Sequence, residues 1–359
     1  MTSYRASRRR PSLRLAIAIV AAAGLLLAGC GGGDGGDSTV GQKPEQAEGL
    51  AESTIKAAAQ AEGKVVWYTS IPEAAVKEVA AGFKAAYSID VEVVRLTSTT
   101  LMQRYASERD AGAVKGDVIN VAQTAFFEDG VTKGWWSKLT QPEAPMLANW
   151  PKELVHKEQY TLINTQPIGI AYNSDQVKES DVDTWQKIVD PRFKNKVVLV
   201  NPANTPFYLS WLKLMETEYG PDVLTQFAAL KATVTDSAVP GAQQLAAGER
   251  LLMVPNVLSG VKEVVDAGAP VATVTPSPTV GVEQYAAASV DGPHPNAAKL
   301  LLGYLLTRTG QEQLNRGYAA SPLSGIPGSI PMPKDYRATD TAAVQADKAR
   351  LLAAVGLGK

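Results

Sequence analysis

One pattern recurs five times along this chain and limits what it can fold into. An apolar run stops in a short polar loop, and a helix-period segment starts directly after it. Val65-Val66-Trp67-Tyr68 stops at Thr69-Ser70-Ile71-Pro72-Glu73, and Ala75, Val79, Phe83 and Tyr87 then repeat at helical spacing. Pro72 suits a first turn, where its missing N–H has no intrahelical partner to lose. Val91–Leu96 runs into Thr97-Ser98-Thr99-Thr100 and a helix over Leu101–Asp110. Asp117–Val121 runs into Gln123-Thr124 and a helix from Ala125. Val197–Val200 runs into Asn201–Pro206 and a helix from Phe207, and Leu251–Val254 into Pro255-Asn256 and a helix from Leu258. A parallel sheet puts such loops at one edge, where open α/β sheets bind ligands. Each loop taken alone reads as an ordinary helix cap. Five together, rich in hydroxyls and amides, point to a cleft.

The chain begins with Arg5, Arg8, Arg9, Arg10 and Arg14 and no acid, followed by an apolar stretch from Leu15 to Ala28. That stretch is shorter than the ~20 residues of a membrane-spanning helix and fits an export signal. Ser7-Arg8-Arg9-Arg10 is similar to a twin-arginine signal, although Pro11 stands where that pattern takes an apolar residue. Leu27-Ala28-Gly29-Cys30 resembles the lipobox of bacterial lipoproteins. The resemblance implies a signal over 1–29, cleavage before Cys30 and a lipid on that cysteine. Cys30 is the only cysteine, so an intrachain disulfide and a cysteine-based metal cluster are both excluded. Gly31–Gly36 matches G-x-G-x-x-G, but no strand precedes it and no helix follows it directly, so a dinucleotide site is rejected. It reads as part of a tether over 30–61.

The folded part starts near Glu62. With 45% apolar and 20% charged residues over 359, the length suits two lobes. Tyr160–Asn173 reads as a long extended stretch broken by Pro167, and Val282–Val290 as a second one. They are expected to cross between lobes. This gives lobe 1 as 62–166 with 282–330, lobe 2 as 167–281, and a C-terminal tail over 331–359. The helices Asn296–Leu306 and Gly310–Asn315 are expected to cover lobe 1.

The order of these pieces resembles the extracellular solute-binding proteins of bacterial ABC importers, in the branch with ferric, phosphonate, phosphosugar and polyamine binders. The resemblance rests on the lipobox, Val66–Ser70, Gly116-Asp117-Val118, Ile170–Asn173, Asp190–Lys194 and His294–Leu301, and spans roughly 62 to 330. It implies a type II periplasmic-binding-protein fold, with two α/β lobes on a two-segment hinge. It further implies a monomer that captures a small molecule, partners a membrane permease and sits lipid-anchored on the outer or periplasmic face.

Other classes find less support. Removing the five arginines of the signal takes the formal net charge from −1 to about −6 and leaves no basic stripe for nucleic acid. The two histidines, His156 and His294, stand in no H-E-x-x-H, and neither G-x-S-x-G nor a phosphate-binding G-x-x-x-x-G-K-[ST] occurs. Both histidines read as surface residues. No cofactor is expected. A carboxylate-based hydrolase is the alternative enzyme class, but no acidic pair lies in the loops.

The candidate ligand-binding residues are Thr69, Ser70, Ser98, Thr99, Gln123 and Thr124 on lobe 1, with Tyr172 at the crossing. On lobe 2 they are Asn204, Thr205, Asn256, Ser277 and Thr279, and Tyr285 stands on the return crossing. The loops carry almost no Lys or Arg, so an anion would be held by N–H groups and hydroxyls. A neutral polyol fits the same groups, whereas a polyamine wants carboxylates and aromatic walls. Ferric binders of the resembled branch commonly take neighbouring tyrosines at a lobe 2 strand-to-helix junction. The matching stretch, Met253–Gly260, holds none. Phosphorylated or phosphonate solutes are therefore expected ahead of iron. The lipobox has its own test. Cys30→Ser should abolish lipidation and remove the mature form from the membrane fraction, whereas unchanged processing and retention would refute the anchor.

Overall fold

The structure, a computed structural model, describes residues 55–139, 147, 150–204, 207–338 and 341–358. The signal, Cys30, most of the tether and Thr205 lie outside the described residues. Helical residues 55–62 lead into β1 (Lys64–Thr69), buried on both faces after its first residue. α1 (Glu73–Tyr87) turns Ala75, Val76, Val79, Phe83 and Tyr87 inward, and Ser88 in the left-handed region ends it by donating its N–H to the Lys84 carbonyl. β2 (Asp90–Arg95), α2 (Ser98–Asp110), β3 (Val118–Val121) and α3 (Thr124–Thr132) repeat the unit. The short β4 (Val155–His156) precedes β5 (Tyr160–Asn173), a strand of fourteen residues.

The second half continues with β6 (Val197–Val200), α4 (Phe207–Tyr219), α5 (Asp222–Ala229), β7 (Thr233–Thr235), α6 (Ala238–Ala246), β8 (Leu252–Val257), α7 (Lys262–Asp266) and β9 (Val271–Val274). β10 (Gly281–Ala288) returns to the first half, where α8 (Pro295–Leu306) and α9 (Arg308–Asn315) follow. The described strands run in the order β2-β1-β3-β10-β5-β8-β6-β7, with β4 and β9 also on β5. β1, β2 and β3 are parallel, as are β6, β7 and β8, so each half presents its strand ends and helix starts on one side.

The two halves share β5. Its first part pairs with β10, Thr161 facing Ala286 and Pro167 facing Gly281. From Ile168 onward it pairs with β8, and from Ile170 also with β9. Separate apolar cores sit on either side of this change of partner. One gathers Trp67, Phe83, Leu301 and Leu305 with their neighbours. A second layer on the opposite face of the same half-sheet holds Tyr105, Phe127 and Trp136. The other half packs around Trp185, Trp211, Leu212 and Phe227. α8 and α9 cover the first half, as the sequence leads one to expect.

Three features were not read from the sequence. The β7–α6 unit is one, because three strand residues are too few for a period to show. Another is that β8 runs on through Pro255 and Asn256 to Val257, and a single 3₁₀ turn, Leu258–Gly260, stands where a helix was expected. The last is a third crossing by the tail. Thr279 N–H donates to the Asp335 carbonyl (3.1 Å), and Arg337 N–H donates to the Thr279 carbonyl (2.8 Å). The Tyr336 hydroxyl donates to Glu283 on β10 (2.8 Å). Helices α10 (Thr341–Ala346) and α11 (Lys348–Ala354) then pack on α4, adding Val344, Leu351 and Val355 to the second core.

At the edge of the first half away from the loops, Asp117 is fully buried. Its carboxylate accepts the Val66 N–H (2.7 Å), the His294 N–H (2.8 Å) and the His294 ring nitrogen Nδ1 (2.7 Å). It thus joins β1, β3 and the start of α8. Asp117→Ala would leave these donors without a partner and should lower unfolding stability by about 3 kcal/mol or more. Urea unfolding monitored by tryptophan fluorescence checks this. A loss below about 1 kcal/mol would mean that the donors find other acceptors.

Candidate functional site

The loop ends of both halves face one another across a cavity of about 610 Å³. That volume lies within the range of small-molecule sites. The first half supplies Ser70, Pro72, Arg95, Leu96, Thr97, Ser98, Thr99, Ala122 and Gln123. The hinge strands supply Gln166, Val282 and Gln284, and the second half Asn204, Phe207, Val257 and Ser259. Among the described residues no Asp, Glu, His or Tyr lines it, and Arg95 is the cation that does.

Local geometry explains how these groups are held. Arg95, the last residue of β2, donates Nε–H to the Ile71 carbonyl (2.8 Å), which fixes the guanidinium at the cleft. Its other nitrogens have no hydrogen-bond partner among the described residues. Glu73 is near enough for Arg95 to help hold its carboxyl below the usual range, but Lys77 is the larger cause, through a direct ion pair at 2.6 Å. The Thr97 hydroxyl caps α2 by accepting the Thr100 N–H (3.3 Å). α1 and α3 begin at Pro72 and Gln123, both at the cavity, without a side-chain cap, and Glu73 stands in the first turn of α1.

A second chain of hydrogen bonds stiffens the floor. The Ala122 N–H reaches Ser98 Oγ (3.2 Å), Ser98 Oγ reaches Ser70 Oγ (3.1 Å), and Ser70 Oγ reaches Gln284 Oε1 (3.3 Å). Asn120 Nδ2 donates to the same Oε1 (3.1 Å) and to the Tyr285 carbonyl (3.1 Å).

Of the expected residues, the cavity brings together Ser70, Ser98, Thr99, Gln123 and Asn204. Thr124 and Tyr285 line a small neighbouring cavity between α3, α4 and β10. The others stand elsewhere. Thr69 is buried, its hydroxyl shared between Asn120 Oδ1 (2.6 Å) and the Ile71 N–H (3.1 Å), so it supports the loop from behind. Tyr172 pairs with Leu252 and Ala272 inside the second core. Its strand rises about 3.3 Å per residue, which carries it about 20 Å beyond Gln166. Asn256 lies within β8 and faces a separate cavity on the other side of the hinge, together with Pro167, Thr273 and Pro331. The Thr279 hydroxyl donates to the Ile168 carbonyl (2.6 Å), and Ser277 is exposed in the turn before it.

The sequence reading missed Arg95, Gln166, Gln284 and Ser259. Arg95 ends a strand rather than sitting in a loop, so the reading that the loops carry almost no Lys or Arg passed over it. Gln166 and Gln284 were passed over as strand interior. Their signal was present, since each is a polar carboxamide in an otherwise apolar hinge strand.

A family described as bacterial extracellular solute-binding protein matches residues 65–317, from β1 to just beyond α9. The chain belongs to this family. No curated protein matches this solute-binding protein in sequence. Solved structures share its fold. An ABC-transporter substrate-binding protein from Agrobacterium tumefaciens superposes with a TM-score of 0.68 at 16% identity, covering 81% of this chain and 95% of that one. Iron-bound HitA from Pseudomonas aeruginosa gives 0.65 at 17%, covering 82% and 99%. AfuA from Actinobacillus pleuropneumoniae, with fructose-6-phosphate bound, gives 0.62 at 17%, covering 82% and 99%. At such identities the likeness shows the fold and leaves the ligand to the site's own chemistry. Among the described residues no helix is long and apolar enough to cross a membrane.

Proposed function

We propose that this solute-binding protein is the capture component of a bacterial ABC importer for a small oxyanionic organic solute, phosphorylated or phosphonate compounds first. The observation that carries this reading is the charge of the cleft. Arg95 and the N-cap residues of α1 and α3, Pro72 and Gln123, line it, and among the described residues no carboxylate does. Such a lining favours negative charge and offers nothing to pair a polyamine. The family match and the shared fold with an ABC-transporter protein support the transport role over a hydrolase. A monomer lipid-anchored through Cys30 completes the reading.

Two of the fold relatives bear on the choice of ligand. One was solved with iron and one with a phosphosugar. Here Met253–Val257 is a buried strand with no tyrosine, and burial holds the phenol of Tyr208 well above its usual pKa. Tyr285 is raised by burial and by the Glu283 carboxylate, to which it donates at 2.7 Å. Neither is poised as a phenolate for a trivalent cation, and neither lines the main cavity.

The test is a thermal-shift and calorimetric panel of fructose 6-phosphate, methylphosphonate, inorganic phosphate, putrescine and ferric citrate. A bound oxyanion at a hundredfold excess over Kd adds about 2.7 kcal/mol of stability. Arg95→Ala should weaken that binding by about ten- to a hundredfold, the worth of a charged hydrogen bond. It should leave the unliganded Tm nearly unchanged, because Arg95 is exposed. Response to putrescine alone would refute the reading. Ferric citrate should leave the protein colourless, and a visible tyrosinate-to-iron band would return the assignment to iron.

The two lobes, 62–166 with 282–330 and 167–281, should close on the solute, because both contribute lining groups. Small-angle scattering should then show a smaller radius of gyration with ligand. An unchanged value at saturation would rule closure out.

A further inference from the structure

Two glutamines on the cleft floor carry a consequence for which ligand atoms the site accepts. Gln166 and Gln284 stand on the antiparallel hinge strands β5 and β10, where Gln166 faces Val282 and Gln284 faces Asn164. They are therefore diagonal neighbours, and both line the cavity. Each is nine-tenths or more buried, at 5% and 4% exposure. The Nε2 of each has no hydrogen-bond partner among the described residues, and each Oε1 is engaged.

The direction of the Gln284 amide follows from backbone groups whose polarity is fixed. The Tyr285 carbonyl can only accept, so the Asn120 atom 3.1 Å from it is the nitrogen. That nitrogen can only donate, so the Gln284 atom 3.1 Å away is the oxygen. A second line starts from the Ala122 N–H, which can only donate. Ser98 Oγ accepts it, and donation from Ser98 to Ser70 and from Ser70 to the same Gln284 oxygen is consistent with that orientation. Thr69 Oγ1 accepts the Ile71 N–H and donates to Asn120 Oδ1, which agrees with the nitrogen of Asn120 facing Gln284. The carbonyl of Tyr285 thus places Oε1 inward and turns Nε2 to the cavity, and the two hydroxyl lines agree with it. Gln166 is held in the same sense by Ser259, whose hydroxyl donates to its Oε1 at 2.6 Å.

We propose that Gln166 and Gln284 form a donor-only subsite on the hinge strands, the polarity of Gln284 set through Asn120 by the Tyr285 carbonyl and that of Gln166 by the Ser259 hydroxyl, that receives the acceptor oxygens of a carboxylate, phosphate or phosphonate and turns away ammonium groups. The subsite rests on the oxyanion reading above and names the floor residues that enforce it. Because the donors sit on the strands that join the lobes, a ligand there is held before either lobe moves. Arg95 supplies charge at the rim, while the two carboxamides discriminate by hydrogen-bond sense alone. Asn120, which touches no ligand, acts as a positioning residue through Gln284.

The experiment has a ligand-free arm and a ligand arm. Neutron diffraction of the perdeuterated, unliganded protein should show the Gln284 deuterons on the side-chain atom facing the cavity. An oxygen facing the cavity would overturn the proposal whatever the solute is. Calorimetry with fructose 6-phosphate and with putrescine then compares the wild type with Gln284→Glu, a near-isosteric change that keeps the inward acceptor and puts an anionic oxygen in the cavity. A hundredfold or greater loss for the phosphate ester, with putrescine binding appearing, is expected. Asn120→Asp should reverse the Gln284 amide and cost tenfold or more. Phosphate-ester binding by Gln284→Glu within threefold of the wild type would overturn the proposal, even if Asn120→Asp fails to fold. If the wild type binds neither probe, the phosphate reading fails and the neutron map decides the polarity by itself.

Discussion

The structure depends on a single long strand with two sets of partners. β5 spends its first half in the ladder with β10 and its second half with β8 and β9. A strand interior must satisfy its N–H and C=O groups along its whole length. The two half-sheets are thus tied by continuous backbone hydrogen bonding rather than by a loop. Everything at the cleft is positioned from this join. The parallel strands of each half end on the same side, their helices begin there, and the opposed loops leave the cavity between them. The floor is built from the strands themselves, so its side chains are held more firmly than those on the walls.

The electrostatics of the cleft follow from where charge can be held at low cost. Arg95 keeps its guanidinium at the rim, where water still reaches it, and one backbone carbonyl sets its direction. Deeper in, a charge would lose its hydration, and the chain uses neutral carboxamides with fixed orientation instead. Helix starts without side-chain caps add partial charge without adding an ion. The result is a cleft in which a few fixed polar groups stand among apolar side chains such as Leu96, Phe207 and Val257, with a cation at its edge.

Much of the architecture was legible because apolar period and polar punctuation coincide. Val65–Tyr68 and Val197–Val200 are runs too apolar to be anything but buried strands, and Ser70, in the loop after the first, lines the cavity. The long stretch Tyr160–Asn173 was read with its observed limits. The site itself was less legible. Tyr172 was assigned to the crossing because the whole extended stretch was taken as the crossing, whereas β5 changes partner at Pro167 and Ile168. Thr69 and Thr279 have hydroxyls like those of Ser70 and Ser98. Only the three-dimensional ladder shows that theirs turn back to Asn120 and to the Ile168 carbonyl. Arg95 was missed because the search for charge was confined to loops.

The tail's passage beside β10 changes what kind of joint this is. The segment from Ile330 to Arg337 adds a third member, fastened to Thr279 and Glu283 at the join and to Glu218 of α4 through Arg337. Pro331 and Pro333 stiffen it. The tail thus ties the two halves at a third place, and any closure of one half on the other has to carry or break its contacts with Thr279, Glu283 and Glu218.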